Sequence, residues 1–177
     1  MPDLTTQLLL AFAPIFQHVT FRKGEHVHSA GRVAHHLYLV ESGVLRAYYT
    51  HEGKDVTAYL ATAGMSITPP DSFIRGVPSK YHVEALEKSA ALTVTRADLE
   101  AYLAAHPEHE HLVRRYTEQL YVELVERTDS LIFLTAKQRY DALLSARPWL
   151  LNQVSLGHLA SFLGMTPETL SRVRAQR

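Results

Sequence analysis

The chain has 177 residues, 46% apolar and 20% charged, with basic and acidic side chains equal in number and a formal net charge of zero. That composition suits one good globular domain plus a small one, and it offers no overall pull toward a polyanion. The absence of cysteine excludes disulfides, thiolate zinc sites, cysteine-ligated iron–sulfur clusters and thiol catalysis, and fits a reducing cytoplasm.

Residues 4–17 (LTTQLLLAFAPIFQ) read as a short amphipathic helix with Pro14 near its end. The start lacks the basic stretch and small-residue cleavage site of a signal peptide, and no apolar run approaches membrane-spanning length. Residues 19–96 change character. Short β-prone stretches alternate with turns at Lys23-Gly24, Ala30-Gly31, Ser42-Gly43 and Glu52-Gly53, the pattern of a compact all-β roll or barrel. Tyr48, Tyr49 and Tyr59 suit half-buried strands.

Residues 96–105 (RADLEAYLAA) return to helical spacing, and after Pro107 the longest helical stretch covers 108–134. Val113, Thr117, Leu120, Leu124, Arg127 and Leu131 follow alternating 4–3 spacing. Leu112, Tyr116, Tyr121, Val125 and Ile132 form a second apolar stripe. A helix with two such stripes packs on its own roll with one and on a partner with the other, or buries both within one protomer. The expectation adopted is a homodimer through Val113, Thr117, Leu120, Leu124 and Leu131. Thr135-Ala-Lys-Gln138 then has the form of a capping box opening another helix, which Pro148 ends.

From Leu156 the chain reads LGHLASFLGMTPETLSRVRAQR. Leu159, Leu163, Leu170 and Val173 give two helices apolar inner faces, and Ala160 is small enough for a close crossing. Gly164 sits at the turn, where φ > 0 is needed. Thr166 can cap the second helix, Pro167 suits its first position and Glu168 its positive end. This is the spacing of a helix-turn-helix, which lays its second helix in the DNA major groove. An ordinary helical hairpin is the plainer alternative. Positive charge gathers at this end: Arg172, Arg174 and Arg177 against Glu168 give 150–177 a local balance of +2, leaving −2 for the rest.

With a β-roll, a long helix and a C-terminal helix-turn-helix in that order, the chain resembles the Crp/Fnr superfamily of bacterial transcription regulators over nearly its whole length. FRKGEHVHSAG followed by HHLYLVESGVLRAYY resembles the first half of that family's cyclic-nucleotide-type roll, and TPETLSR its recognition helix. ALEKSAALTVTRADLEAYLAAHPE and AKQRYDALL are most similar in style to regulators of the Bacteroidetes lineage. The resemblance implies an α+β protein with an N-terminal double-stranded β-helix, or β-roll, a long dimerisation helix and an all-α helix-turn-helix domain. The corresponding divisions are 1–107, 108–134 and 135–177. It also implies base contacts by Glu168, Ser171 and Arg172, with Thr166, Pro167, Thr169 and Arg174 beside them at phosphates or neighbouring bases. Arginine can donate twice to guanine, and glutamate can accept from cytosine. Double-stranded DNA and a second copy of the chain are the expected partners, with a small-molecule effector of unknown identity a third candidate. No membrane, metal, cofactor or enzymatic activity is expected.

Three departures from the family qualify these expectations. Nucleotide-binding members carry G-E-x-x-G-E-L followed by an Arg-Ser/Thr-Ala step. In the aligned segment 64–81 (GMSITPPDSFIRGVPSKY), Pro69 stands at the ribose-binding glutamate and Ser79 at the phosphate-binding arginine. A buried cyclic phosphate without a cation is strongly disfavoured, so little or no cyclic AMP binding is expected. Lys80 is adjacent but is expected on the opposite face of a strand. The pocket then holds another ligand, with Ser72, Arg75, Ser79 and His82 as candidate contacts, or is filled by side chains such as Phe73 and Ile74. Second, no cysteine-ligated oxygen-sensing cluster can form. Third, many members follow the recognition helix with a β-hairpin wing, and none is expected after Arg177.

The eleven histidines support a competing reading. His26-Val27-His28, with His35 and His36 close behind, resembles the H-x-H pair of a metal-binding cupin, whose β-roll has a related shape. The glutamate that motif needs is replaced by Arg32 and Val33, and two ligands rarely make a tight site. In that alternative the protein is a small-molecule- or metal-binding roll whose C-terminal hairpin does not read DNA. His106, His109 and His111 cluster before the long helix as solvated groups able to respond to pH.

Overall fold

A computed structural model describes residues 3–175, so Arg177 of the basic tail lies outside the described residues. The chain opens with helix α1 (Leu4–Phe12), capped by Asp3, whose carboxylate accepts from the Thr6 amide at 2.8 Å. The expected helix over 4–17 is therefore too long. Pro14 lies in a turn, and Gln17 already starts a strand.

Eight antiparallel strands follow among the described residues: β1 (Gln17–Phe21), β2 (His26–His28), β3 (His36–Ser42), β4 (Leu45–His51), β5 (Lys54–Ala61), β6 (Ser66–Ile67), β7 (His82–Ala85) and β8 (Ser89–Thr95). They form two four-stranded sheets, β1-β8-β3-β6 and β2-β7-β4-β5. Their inner faces enclose Phe21, Val40, Leu45, Ala47, Ala61, Val83, Ala85 and Ala91, the alternating positions that a two-sheet roll must bury. Gly43 shows why one turn tolerates no side chain. Its φ is +84°, and an added Cβ would lie 2.3 Å from Ser89 Oγ.

Between β6 and β7 runs the short helix α2 (Pro70–Arg75). Helix α3 (Arg96–Ala105) and a 3₁₀ turn (Pro107–His109) lead to the long helix α4 (Glu110–Phe133). The Thr135–Gln138 capping box is present and opens α5 (Ala136–Ala146). The short α6 (Leu150–Gln153), for which the sequence offered no signal, bridges to α7 (Leu156–Phe162) and α8 (Pro167–Ala175).

The C-terminal helices share one apolar core with the roll. Val44 and Leu60 pack with Tyr140, Leu143, Leu150, Leu159, Ala160, Leu163, Leu170 and Val173. Burying such side chains contributes about 1.5–3 kcal/mol each, so α5–α8 are seated on the second sheet's outer face as well as tethered to it.

Candidate nucleic-acid interface and effector pocket

Helices α7 and α8 are joined through Gly164 at φ +64°, where an added Cβ would lie 2.9 Å from Leu131 Cδ2. Leu170 and Val173 face inward, while Thr166, Pro167, Glu168, Ser171, Arg172 and Arg174 are exposed and Thr169 is half-buried. Thr166 Oγ1 accepts from the Thr169 amide at 3.2 Å, the N-cap expected of it. The backbone amide of Glu168, then the Thr166 hydroxyl and Arg172, hold the Glu168 carboxyl below its ordinary range. A carboxylate and a guanidinium thus stand ready-charged on one outward surface.

Two arginines that sequence reasoning did not assign to this site fix the turn. Arg139 on α5 donates to the carbonyls of Leu163 (2.7 Å), Leu134 (2.6 Å) and Gly164 (3.3 Å). Arg127 on α4 donates to the Phe162 carbonyl at 2.9 Å, with its guanidinium 4.0 Å above the Phe162 ring. The last carbonyls of α7 lack intrahelical partners, and these cations satisfy them. In the sequence Arg127 is one member of the 4–3 spaced set on α4; only the fold shows what it meets.

The stripes of α4 divide otherwise than their spacing suggested. Val113 lines an apolar cavity beside α1, Leu120 is half-buried, and Leu131, though exposed, reaches the turn at Gly164. From the second stripe Leu112 is buried and Tyr116 largely so. Tyr121, Leu124, Val125 and Ile132, drawn from both stripes, are exposed together with Val122 and Phe133, and Thr117 is exposed too.

The segment 64–82 is closed onto itself. Ser72 is fully buried; its hydroxyl accepts from the Ala34 amide at 2.8 Å and donates to the Val77 carbonyl. Ser79 is buried and accepts from the Tyr81 amide at 2.9 Å. His82 Nδ1 faces the Ala30 amide at 3.4 Å, and its ring stacks on Tyr48. Arg75 is exposed. The structure thus brings Ser72 and Ser79 into the backbone of one loop region, and their hydroxyls serve that loop. Pro69 caps α2 without a side-chain bond and Pro70 fills its first position, which removes amide donors from that helix end. Arg96 on α3 donates to the Phe73 carbonyl at 3.0 Å and to that of Ile74, holding the other end.

Two expectations for this segment are corrected. Lys80 lies outside any strand, and its ammonium sits 4.9 Å over the Tyr49 ring and 5.2 Å over that of Tyr81. Ile74 is 65% exposed and fills no pocket, because the short α2 turns it to solvent. Tyr38, packed edge-on to Phe21, and Tyr59, whose phenol pKa burial pushes up to about 12, pack partly buried against the roll core. A cleft of about 540 Å³ and an apolar cavity of about 80 Å³ both flank α1.

His28 lies within electrostatic reach of His82 and His35. The β2 register slips between His26 and His28, and His26 packs edge-on to His82. Among the described residues no three His, Asp or Glu groups come together as a metal site, and no helix is long and apolar enough to cross a membrane.

The cyclic nucleotide-binding domain model matches residues 18–106, half of the chain. The chain belongs to the cyclic nucleotide-binding domain family. Its architecture from roll to C-terminal helices is that of Crp/Fnr regulators. It is similar to FixK2 from Bradyrhizobium japonicum at 20% identity and a TM-score of 0.73, covering 92% of this chain and 84% of that one. It is similar to the Thermus thermophilus catabolite activator protein at 26% identity and a TM-score of 0.57, covering 99% and 83%. It also resembles CLP of Xanthomonas campestris, a global regulator described as c-di-GMP responsive, at 16% identity and a TM-score of 0.73, covering 97% and 90%. No curated protein sequence matches the chain.

Proposed function

We propose that the protein is a dimeric, sequence-specific DNA-binding transcription regulator of Crp/Fnr type that acts in the cytoplasm, does not respond to cyclic AMP and is not an enzyme. The observation that carries the reading is the outer face of α8. Glu168, Ser171 and Arg172 are exposed on a short helix whose other face is buried and whose entry turn is held by Arg127 and Arg139. A rigid helix with a ready-charged outer face is what major-groove readout requires.

In this reading 1–107 is the sensor roll, 108–134 the dimerisation helix and 135–177 the reader. The dimer forms through the exposed side of α4, centred on Tyr121, Leu124, Val125 and Ile132. An apolar strip of this size is costly to leave in water. Two readers then address half-sites roughly 34 Å apart. Against cyclic AMP stands the buried position of Ser79: a phosphate there would meet a hydroxyl already bonded to the chain.

The test is titration of purified, ligand-free protein against duplex DNA at several salt concentrations. Binding should weaken linearly on a log–log plot as phosphate-bound counterions are released. Absence of binding at low salt would contradict the proposal.

A further inference from the structure

The junction between roll and reader contains a buried polar line that neither the pocket nor the DNA-facing surface uses. β5 is the outer strand of its sheet, so amides on its free edge have no ladder partner. One of them, the Thr57 N–H, donates to Ser161 Oγ on α7 at 2.8 Å. Thr57 is buried, and its hydroxyl accepts from Arg46 Nε at 2.9 Å. Arg46 is only 2% exposed; its guanidinium lies 4.1 Å over the Tyr48 ring and Nη1 donates to Glu84 Oε1 at 2.8 Å. Four elements, β7, β4, β5 and α7, are thereby joined in one chain of hydrogen bonds.

The apolar contact of Val44 and Leu60 with Leu159 and Leu163 would by itself hold α7 against the sheet. Apolar contact is nearly non-directional, and a helix resting on it can slide or roll. A hydrogen bond fixes direction as well as distance, and burying a guanidinium is tolerated only where its partners are fixed. Ser161 sits one turn beyond His158 on the same side of α7, so the bond sets the rotation of that helix, and α7 carries α8 with it through the core they share.

We infer that Arg46, Thr57 and Ser161 are positioning residues for DNA reading: they set the angle at which the roll holds α8, and hence the half-site spacing a dimer accepts. The inference rests on the reading of α8 as the DNA-reading helix and of α4 as the dimer helix. It makes the sheet's outer face a route from sensor to reader separate from the long helix.

The experiment combines residue-by-residue amide exchange with selection from a random duplex library, using the full chain as wild type, Ser161→Ala and Ser161→Thr. In Ser161→Ala, Thr57 exchange should quicken by about tenfold or more while the amides of the inner strand β4 keep their rates. The enriched repeats should lose their single spacing, and Ser161→Thr, which keeps the hydroxyl, should restore both. Unchanged Thr57 exchange overturns the inference. So does quickened exchange with one spacing retained, and so does a parallel rise across β4, which would make the bond a matter of roll stability. A wild-type protein that enriches no repeat overturns the DNA reading and this inference with it, and is distinguished because it shows before any substitution.

Discussion

Arg127 on the long helix grips Phe162 at the end of α7 twice, donating to its carbonyl at 2.9 Å and lying 4.0 Å over its ring. The contact ties α4 to the turn between α7 and α8. Replacing Arg127 by alanine should destabilise the protein by about 1–3 kcal/mol, because a carbonyl loses its donor and a ring its cation. Urea unfolding followed by far-UV circular dichroism measures this, and an unchanged midpoint would show that the contact is not maintained in solution.

Arg172 is exposed and free of any role in the core, so its truncation should leave the fold intact and change only DNA reading. Arg172→Ala should cost about 1–3 kcal/mol on a preferred duplex and relax the choice at one base pair. An equal loss on every sequence would instead make Arg172 a phosphate contact.

Val125 and Ile132 stand exposed on α4, at 42% and 65%. Val125→Asp with Ile132→Asp should leave each protomer folded and shift the mass in sedimentation from dimer to monomer. DNA affinity should fall by on the order of 10²-fold, since the second half-site is no longer held near the first. A wild-type protein that already sediments as a monomer would contradict the dimer.

Cyclic AMP should leave the thermal midpoint unchanged. A ligand bound only to the folded state at one hundred times its dissociation constant adds about 2.7 kcal/mol of stability, which a melting curve resolves easily. A saturable rise in the midpoint would show that the phosphate finds a partner other than the residue at position 79.

His158 is half-buried on α7 and faces Arg46, with Glu84 and Asp55 opposing that cation. Burial first, and then Arg46, lower its pKa from the ordinary 6.5. A lowered value means that the docked state favours the neutral ring. Docking is therefore at full strength above about pH 6.5 and weakens as the pH falls below it, as the released ring takes up its proton more readily. Because base-catalysed chemical exchange slows as the pH falls, the readout is the protection of the Thr57 amide relative to its chemical rate: it should drop between pH 6.5 and 5 in wild type, and His158→Gln should remove that drop. An identical profile in the variant would remove His158 from the account.

The all-β segment, the long helix and the helix-turn-helix were legible because each rests on local signals: glycine turns, helical spacing, caps and a glycine at positive φ. Thr135 and Gln138 form the capping box their spacing announces. What was not legible depends on contacts distant in sequence. No pattern marks Arg46 as buried, since its partners Thr57 and Glu84 come from other strands. Ser161 looked like any polar residue on a helix. The two α4 stripes do not divide by burial as their spacing does, because the roll and the C-terminal helices press on the two ends of α4 along the same side, through Val113 and Arg127. Ser72 and Ser79 were chosen as polar groups in the right segment, and only the three-dimensional arrangement shows their hydroxyls engaged by the Ala34 and Tyr81 amides.

Selection of bound duplexes from a random library by the purified, ligand-free protein tests the central claim most directly. The account predicts an enriched inverted repeat with half-sites one helical turn apart, whose preferred base pairs change in Arg172→Ala. No enrichment at low salt, from protein shown to be folded, would contradict it.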